Sequence, residues 1–152
     1  MGTLRLGAGT PRPMAELELR VIAPERVVLE TRVESLQALG LDGWVGVLPR
    51  HAPMLLALDV GLLRFVEEGV RRSIFVSGGF LEVRDDRVRV VTEASELAAE
   101  IDVERAEAAA ERARERIRQA RDGRAPDVDL TRAESALQRA FWRLRAHGEL
   151  GG

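Results

Sequence analysis

The chain of 152 residues contains neither cysteine nor lysine. Without cysteine it has no disulfide, no thiolate nucleophile and no thiolate metal ligand, a composition compatible with a reducing cytoplasm. Without lysine, none of its glycine-rich stretches ends in the Gly-Lys-Ser or Gly-Lys-Thr of a phosphate loop. Gly43, Gly46, Gly78 and Gly79 are therefore read as turn and close-packing residues. Positive excess is missing too, because 23 arginines face 25 acidic residues and leave a formal charge of −2, which argues against a general polyanion binder. Long apolar runs are absent: residues 54–58 fall far short of the roughly 20 that a bilayer span needs, so no direct membrane insertion is expected. Residues 1–13 carry Arg5 and Arg12 but no apolar stretch of the kind a secretion signal has. The two histidines, His51 and His147, stand far from any nucleophile–base or metal-triad pattern, so catalytic residues and metal ligands are both expected to be none. His51, between an arginine and Ala52-Pro53 in a loop, is expected to make a structural hydrogen bond.

What is present reads as one globular domain with a small appendage. Residues 1–13, glycine- and proline-rich and without period, are expected to be an extension, with Met14 an alternative start. From residue 16 to 92 the signals are those of strands. Short apolar or alternating runs occupy 17–22, 27–29, 33–39, 44–48, 55–58, 62–66, 70–76, 80–83 and 88–91, with turn residues at 23–24, 40–43, 49–53, 59–61, 68–69 and 85–86. Nine to ten short strands at this spacing predict a sandwich or flattened barrel over residues 14–93. Glu82, Arg84, Arg87 and Arg89 alternate with Leu81, Val83, Val88 and Val90, which gives the last hairpin one wet face.

Near Thr92 the apolar period lengthens from two to about three and a half residues. Ala106, Ala109, Ala113, Ile117 and Ala120 share one face of a helix over 103–121, and Ala133, Leu137, Ala140 and Leu144 share one face over 130–145. Gly123 and Pro126 interrupt the helices between them. Thr131 with Glu134 offers a capping box, Asp129 an alternative direct cap, and Gly148 an end to the second helix. The short loop predicts an antiparallel two-helix hairpin over 94–152, so the class is α+β. At about 25 cal/mol per Å² an alanine seam yields only a few kcal/mol, while alanine has the highest helix propensity. Strong helices with weak mutual docking suit a switch.

Three segments carry a resemblance in order and spacing: Gly46-Val47-Leu48-Pro49 with His51-Ala52-Pro53; Ser77-Gly78-Gly79-Phe80-Leu81-Glu82-Val83; and Asp127-Val128-Asp129-Leu130 before Arg132-Ala133-Glu134. Together they resemble the epsilon subunit of the F-type rotary ATP synthase, called delta in mitochondria. The resemblance implies a β-sandwich docked on the gamma subunit and on the rotor ring of c subunits. It implies a C-terminal hairpin that rests on the sandwich or extends to the alpha and beta subunits of the catalytic head and inhibits ATP hydrolysis. It also implies a peripheral place on the cytoplasmic face of the inner or plasma membrane, and a regulatory subunit in place of an enzyme. Asp42, Trp44 and His51 fall where the rotor ring or gamma would be met; Trp44 stands where many relatives have an acidic residue, and Arg50 where glycine is usual.

Ile101-Asp102-Val103-Glu104-Arg105-Ala106 is similar to the nucleotide-binding signature of bacterial epsilon subunits. Carried over residue by residue, the ATP site comprises Glu96, Ile101, Asp102, Arg105, Ala106, Arg112, Arg139 and Arg143, with ATP as regulatory ligand and no metal required. Arg105 and Arg112 lie two helical turns apart and Arg139 and Arg143 one turn, so a closed hairpin can gather guanidinium groups around a triphosphate. In an extended state Arg139, Arg143 and Arg145 are expected to contact the head. Two other readings remain: the same coupling subunit with a non-inhibitory hairpin that binds no nucleotide, and an arginine-rich helical nucleic-acid-binding module. Interspersed glutamates such as Glu111 and Glu115 count against the last, since Glu111–Arg114 and Glu115–Arg118 pairs simply solvate a helix.

Overall fold

The computed structural model describes residues 15–124 and 127–150; the expected extension, the alternative start Met14 and the loop proline Pro126 lie outside them. Eight strands come first: β1 (Leu17–Ala23), β2 (Arg26–Val33), β3 (Ser35–Gly40), β4 (Gly43–Val47), β5 (Met54–Glu67), β6 (Val70–Arg84), β7 (Arg87–Val91) and β8 (Ser95–Leu97). One turn of 3-10 helix (Ala98–Glu100) leads into α1 (Val103–Arg121), and α2 (Leu130–Gly148) follows. The architecture is the expected β-sandwich with two C-terminal helices.

The strand count differs from the nine to ten expected, for a specific reason. Residues 59–61 and 77–79 have the composition of turns, yet the chain does not reverse there. β5 and β6 pair with each other along their whole length, from Met54 opposite Val83 to Glu67 opposite Val70. At the midpoint the ladder passes from Leu58 opposite Gly79 to Val60 opposite Ser77, and both strands bend together. Asp59 turns its own carboxylate onto the Val60 N–H at 2.8 Å, and Gly78 and Gly79 take φ of 99° and 112°, so the bend keeps its backbone groups bonded without a reversal.

The bend lets two strands serve two layers. The sheet order is β2-β1-β7-β6-β5-β3-β4, with β8 also on β6. β7 pairs with the second half of β6, whereas β8 pairs with the first half, and the sheet thus continues to Leu97, past residue 93. β1 closes its layer by lying parallel to β7, from Glu18 beside Arg87 to Ile22 beside Val91. Between the layers sits a core from alternate positions: Leu17, Leu19, Val21, Leu36, Leu63, Phe65, Ile74, Val76, Leu81, Val83, Val88 and Val90 are all buried. Glu82, Arg84, Arg87 and Arg89 point to solvent, as the alternation requires.

α1 spans the expected residues, and α2 continues three residues beyond residue 145. Asp102 and Asp129 each accept the N–H three residues on, from Arg105 and Arg132 at 3.1 Å, so the direct cap and not the Thr131–Glu134 box starts the second helix. The buried seam is Ala106, Ala110, Ala113 and Ile117 from α1 with Ala133 and Ala140 from α2, while Ala146, also buried, lies toward the sheet. Ala109, Ala120, Leu137 and Leu144 are only half-buried, because the stripe drifts round each straight helix. The Glu111–Arg114 and Glu115–Arg118 pairs form on the solvent side at 3.6 and 2.5 Å, and the Arg118 guanidinium draws the Glu115 carboxyl below its usual range.

Candidate functional site, the hairpin docking face

Where β5 and β6 turn their even- and odd-numbered residues away from the sandwich core, they form a second apolar surface. Leu62 and Phe75 are register partners on it, and both are completely buried although they face outward. The lid is Ala98 and Ile101 from the segment before α1, with Ala146 and Trp142 from α2. This cluster holds α2 on the sandwich and is separate from the alanine seam between the helices.

Polar contacts ring the cluster. Arg143 of α2 donates from Nε to Glu96 Oε1 of β8 at 2.5 Å, and its guanidinium carbon lies 4.4 Å from the centre of the Phe75 ring. Six residues on, Glu149 caps the C-terminus of α2 and receives Arg64 of β5 through two bonds, Nε to Oε1 at 3.1 Å and a terminal nitrogen to Oε2 at 2.6 Å. Ser73 of β6 donates its hydroxyl to the same Oε1. The Arg64 bond, opposed by burial and aided by Ser73, holds the Glu149 carboxyl below the ordinary carboxylate range. Arg64 also stacks over the Trp44 ring at 4.6 Å, and Trp44 meets Trp142 edge-on at 6.5 Å between centroids.

Of the residues expected to bind ATP, the structure brings Glu96 and Arg143 into direct contact across 47 residues of chain. Ile101 is buried in the docking cluster with Phe75, and Ala106 is buried in the seam between the helices. Asp102 is engaged in capping α1, Arg105 and Arg112 are exposed, and Arg139 is half-buried. Among the described residues Arg105, Arg112 and Arg139 have no carboxylate within 4.0 Å, whereas Arg143 has Glu96. Arg145 reaches Glu149 at 3.7 Å and is otherwise exposed. Asp102→Ala is expected to cost about 1 kcal/mol of helix stability through the lost cap. Faster amide exchange confined to the first turn of α1 would report it, and unchanged exchange at Arg105 would count against a capping role.

Asp42 is exposed in the β3–β4 turn, but Trp44 is divided, 43% exposed and otherwise covered by Arg64 and Trp142. His51 Nδ1 lies 2.7 Å from the Ala52 carbonyl oxygen and donates to it, the structural bond expected. Arg50 adopts a left-handed φ of 68°, and its N–H donates to Asp86 Oδ1 at 2.6 Å, which ties the loop to the β6–β7 turn.

One surface escaped the sequence reading. On the outer side of the first layer, Val27, Ile22, Val91, Phe80 and Ala57 stand beside one another in register across five strands. Phe80 is 56% exposed and Val27 and Val91 are nearly as open, beside a polar row of Glu30, Arg20, Arg89 and Glu82. The signal is present as apolar residues on a polar face: Val91 and Phe80 take outward positions that Arg89, two residues before Val91, and Glu82, two residues after Phe80, fill with charge.

A bent β-sandwich with a two-helix arm folded onto one outer face defines the class. Residues 16–98 match the family described as ATP synthase, Delta/Epsilon chain, beta-sandwich domain, and residues 99–148 match its long alpha-helix domain. The chain is 49% identical over 102 residues to the ATP synthase epsilon chain of Carboxydothermus hydrogenoformans, covering 67% of this chain and 76% of that one. It is 48% identical over 99 residues to the ATP synthase epsilon chain of Pelotomaculum thermopropionicum, covering 65% and 74%. Among solved structures, a chain of the Euglena gracilis mitochondrial ATP synthase matches with a TM-score of 0.71 at 26% identity, over 96% of this chain and 89% of that one. The protein belongs to the ATP synthase delta/epsilon chain family.

Proposed function

We propose that this protein is the central-stalk epsilon subunit of an F-type ATP synthase, which couples rotation to ATP synthesis and restrains ATP hydrolysis through its hairpin. Catalysis resides in the other subunits. The sandwich, whose sheet runs on to Leu97, serves the gamma subunit and the c-ring; the open row from Val27 to Ala57 is a surface suited to gamma, and Asp42, Trp44 and His51 are the side chains for the ring or gamma. The subunit takes a peripheral place on the cytoplasmic face through the assembled complex; no described helix is long and apolar enough to cross a membrane. The hairpin of α1 and α2 rests on the sandwich with ATP bound and extends to the alpha and beta subunits without it.

The observation that carries the ATP reading is the meeting of Glu96 and Arg143 at the root of the hairpin. A triphosphate placed there exchanges one carboxylate partner of Arg143 for phosphate oxygens and gains the uncommitted Arg139. At a hundred times its dissociation constant a ligand adds about 2.7 kcal/mol, and moving a population from 1:99 to 99:1 takes about 5.5 kcal/mol of differential binding. ATP therefore tips a nearly balanced hairpin. Calorimetric titration of the full chain is expected to give saturable one-to-one binding that Arg143→Ala abolishes, with a parallel change in Trp142 fluorescence. No heat at millimolar ATP would favour the second reading, a coupling subunit without a nucleotide switch. A nucleic-acid module would instead show binding that falls steeply with salt.

A further inference from the structure

We infer that Glu149, with Arg64 and Ser73, forms a latch at the far end of α2 that sets how firmly the hairpin stays docked, independently of any nucleotide. This rests on the reading above only in that docking is the regulated event. A carboxylate at a helix C-terminus faces the negative end of the helix dipole, so its position calls for a compensating partner. The compensation comes entirely from outside the hairpin except for Arg145: Arg64, 85 residues earlier, grips both carboxylate oxygens, and Ser73, 76 residues earlier, donates to one of them. Arg64 and Ser73 are register partners on β5 and β6, so the rigid centre of the sheet fixes both donors at the spacing of one carboxylate.

The latch is mechanically joined to the apolar docking cluster. The guanidinium that holds Glu149 also lies on Trp44, and Trp44 bears on Trp142 of α2. Losing the Glu149 contact frees Arg64 to leave Trp44, so one ion pair and one aromatic contact are lost together. It is also remote in role from Arg143 and Glu96, which meet on β8 instead of the β5–β6 ladder.

The groups facing Glu149 are Arg64 from β5, Ser73 from β6 and Arg145 from its own helix. Its carboxyl is held low when docked, so the latch contributes at pH above the undocked value and is lost as pH falls through the docked value. Acid loosens the hairpin.

The test uses the full chain without nucleotide and follows amide exchange in α2 and in β1, β7 and the inner half of β6. Glu149→Gln and Arg64→Gln are each expected to speed exchange in α2 by about tenfold, the size of a lost charge-assisted hydrogen bond, while the strands stay protected. The reversed pair Arg64→Glu with Glu149→Arg is expected to recover part of the loss. An acid-induced rise in α2 mobility, read by Trp142 fluorescence, is expected in the native chain and smaller in Glu149→Gln, in which the Glu96–Arg143 ion pair is still present. Native-like exchange in both single variants, or a reversed pair no better than their sum, would overturn the latch. With no nucleotide present, the result is independent of whether ATP binds: failure of the titration above leaves the latch standing, and failure here leaves the ATP site standing.

Discussion

Gly79→Ala is expected to destabilise the protein by about 4 kcal/mol or more, at the far end of what one substitution does. A β-carbon at this position would stand 1.9 Å from the Val91 carbonyl oxygen and 3.0 Å from the Thr92 α-carbon. Both obstacles are backbone, so no rotamer change relieves them, and the φ of 112° adds strain of its own for any residue but glycine. The only escape is to part β6 from β7 where Phe80 pairs with Val91, and β7 is what carries β1. For a chain of this size about 3 °C of melting temperature goes with each kcal/mol, so a fall of about 12 °C is expected by calorimetry. Gly46→Ala is the control, since a β-carbon there meets nothing within 4 Å. Equal melting of the two variants would refute the close-approach argument.

Phe75→Ala is expected to cost about 3–5 kcal/mol, as deletions of buried phenylalanine do, but to spend that loss on one boundary. The ring is completely buried, yet it lies on the hairpin side of β6, while its neighbours Ile74 and Val76 face the sandwich core. Removing it empties the cluster of Leu62, Ala98, Ile101 and Ala146 and takes away the face on which the Arg143 guanidinium rests. The expected outcome is a folded sandwich with an undocked α2: near-native strand protection in hydrogen exchange, fast exchange through α2, and retained helix signal in circular dichroism, because alanine-rich helices hold without their platform. Simultaneous loss of protection in strands and helices would mean that hairpin and sandwich unfold as one unit.

The contrast between these two positions shows what was readable. The helices were legible almost to the residue, since the alanine stripe and the caps Asp102 and Asp129 are local signals. Bends were not distinguishable from reversals. Asp59-Val60-Gly61 and Ser77-Gly78-Gly79 have turn chemistry, and only the unbroken β5–β6 pairing decides between the two. β8 was missed because Ser95-Glu96-Leu97 is too short to alternate. In the site, Glu96 and Arg143 were reachable through a motif, whereas Arg64, Ser73 and Glu149 belong to no pattern; they are single polar residues that acquire meaning when the ladder and the helix end meet. Trp44 was legible as a notable residue but not in its direction, which Arg64 and Trp142 determine.

The parallel seam between β1 and β7 governs timing as well as shape. Its Glu18–Arg87 contact spans 69 residues, so the layer cannot close until nearly the whole sandwich has left the ribosome. Sheets built on such distant pairings form in about milliseconds to seconds, while helices of this length form in roughly a microsecond. The hairpin is synthesised last, at about 5–20 residues per second, so the surface of Leu62 and Phe75 has time to form before α2 is complete and able to cover it. Every newly made molecule passes through a stage with that surface bare, and the undocked form is the one it visits first.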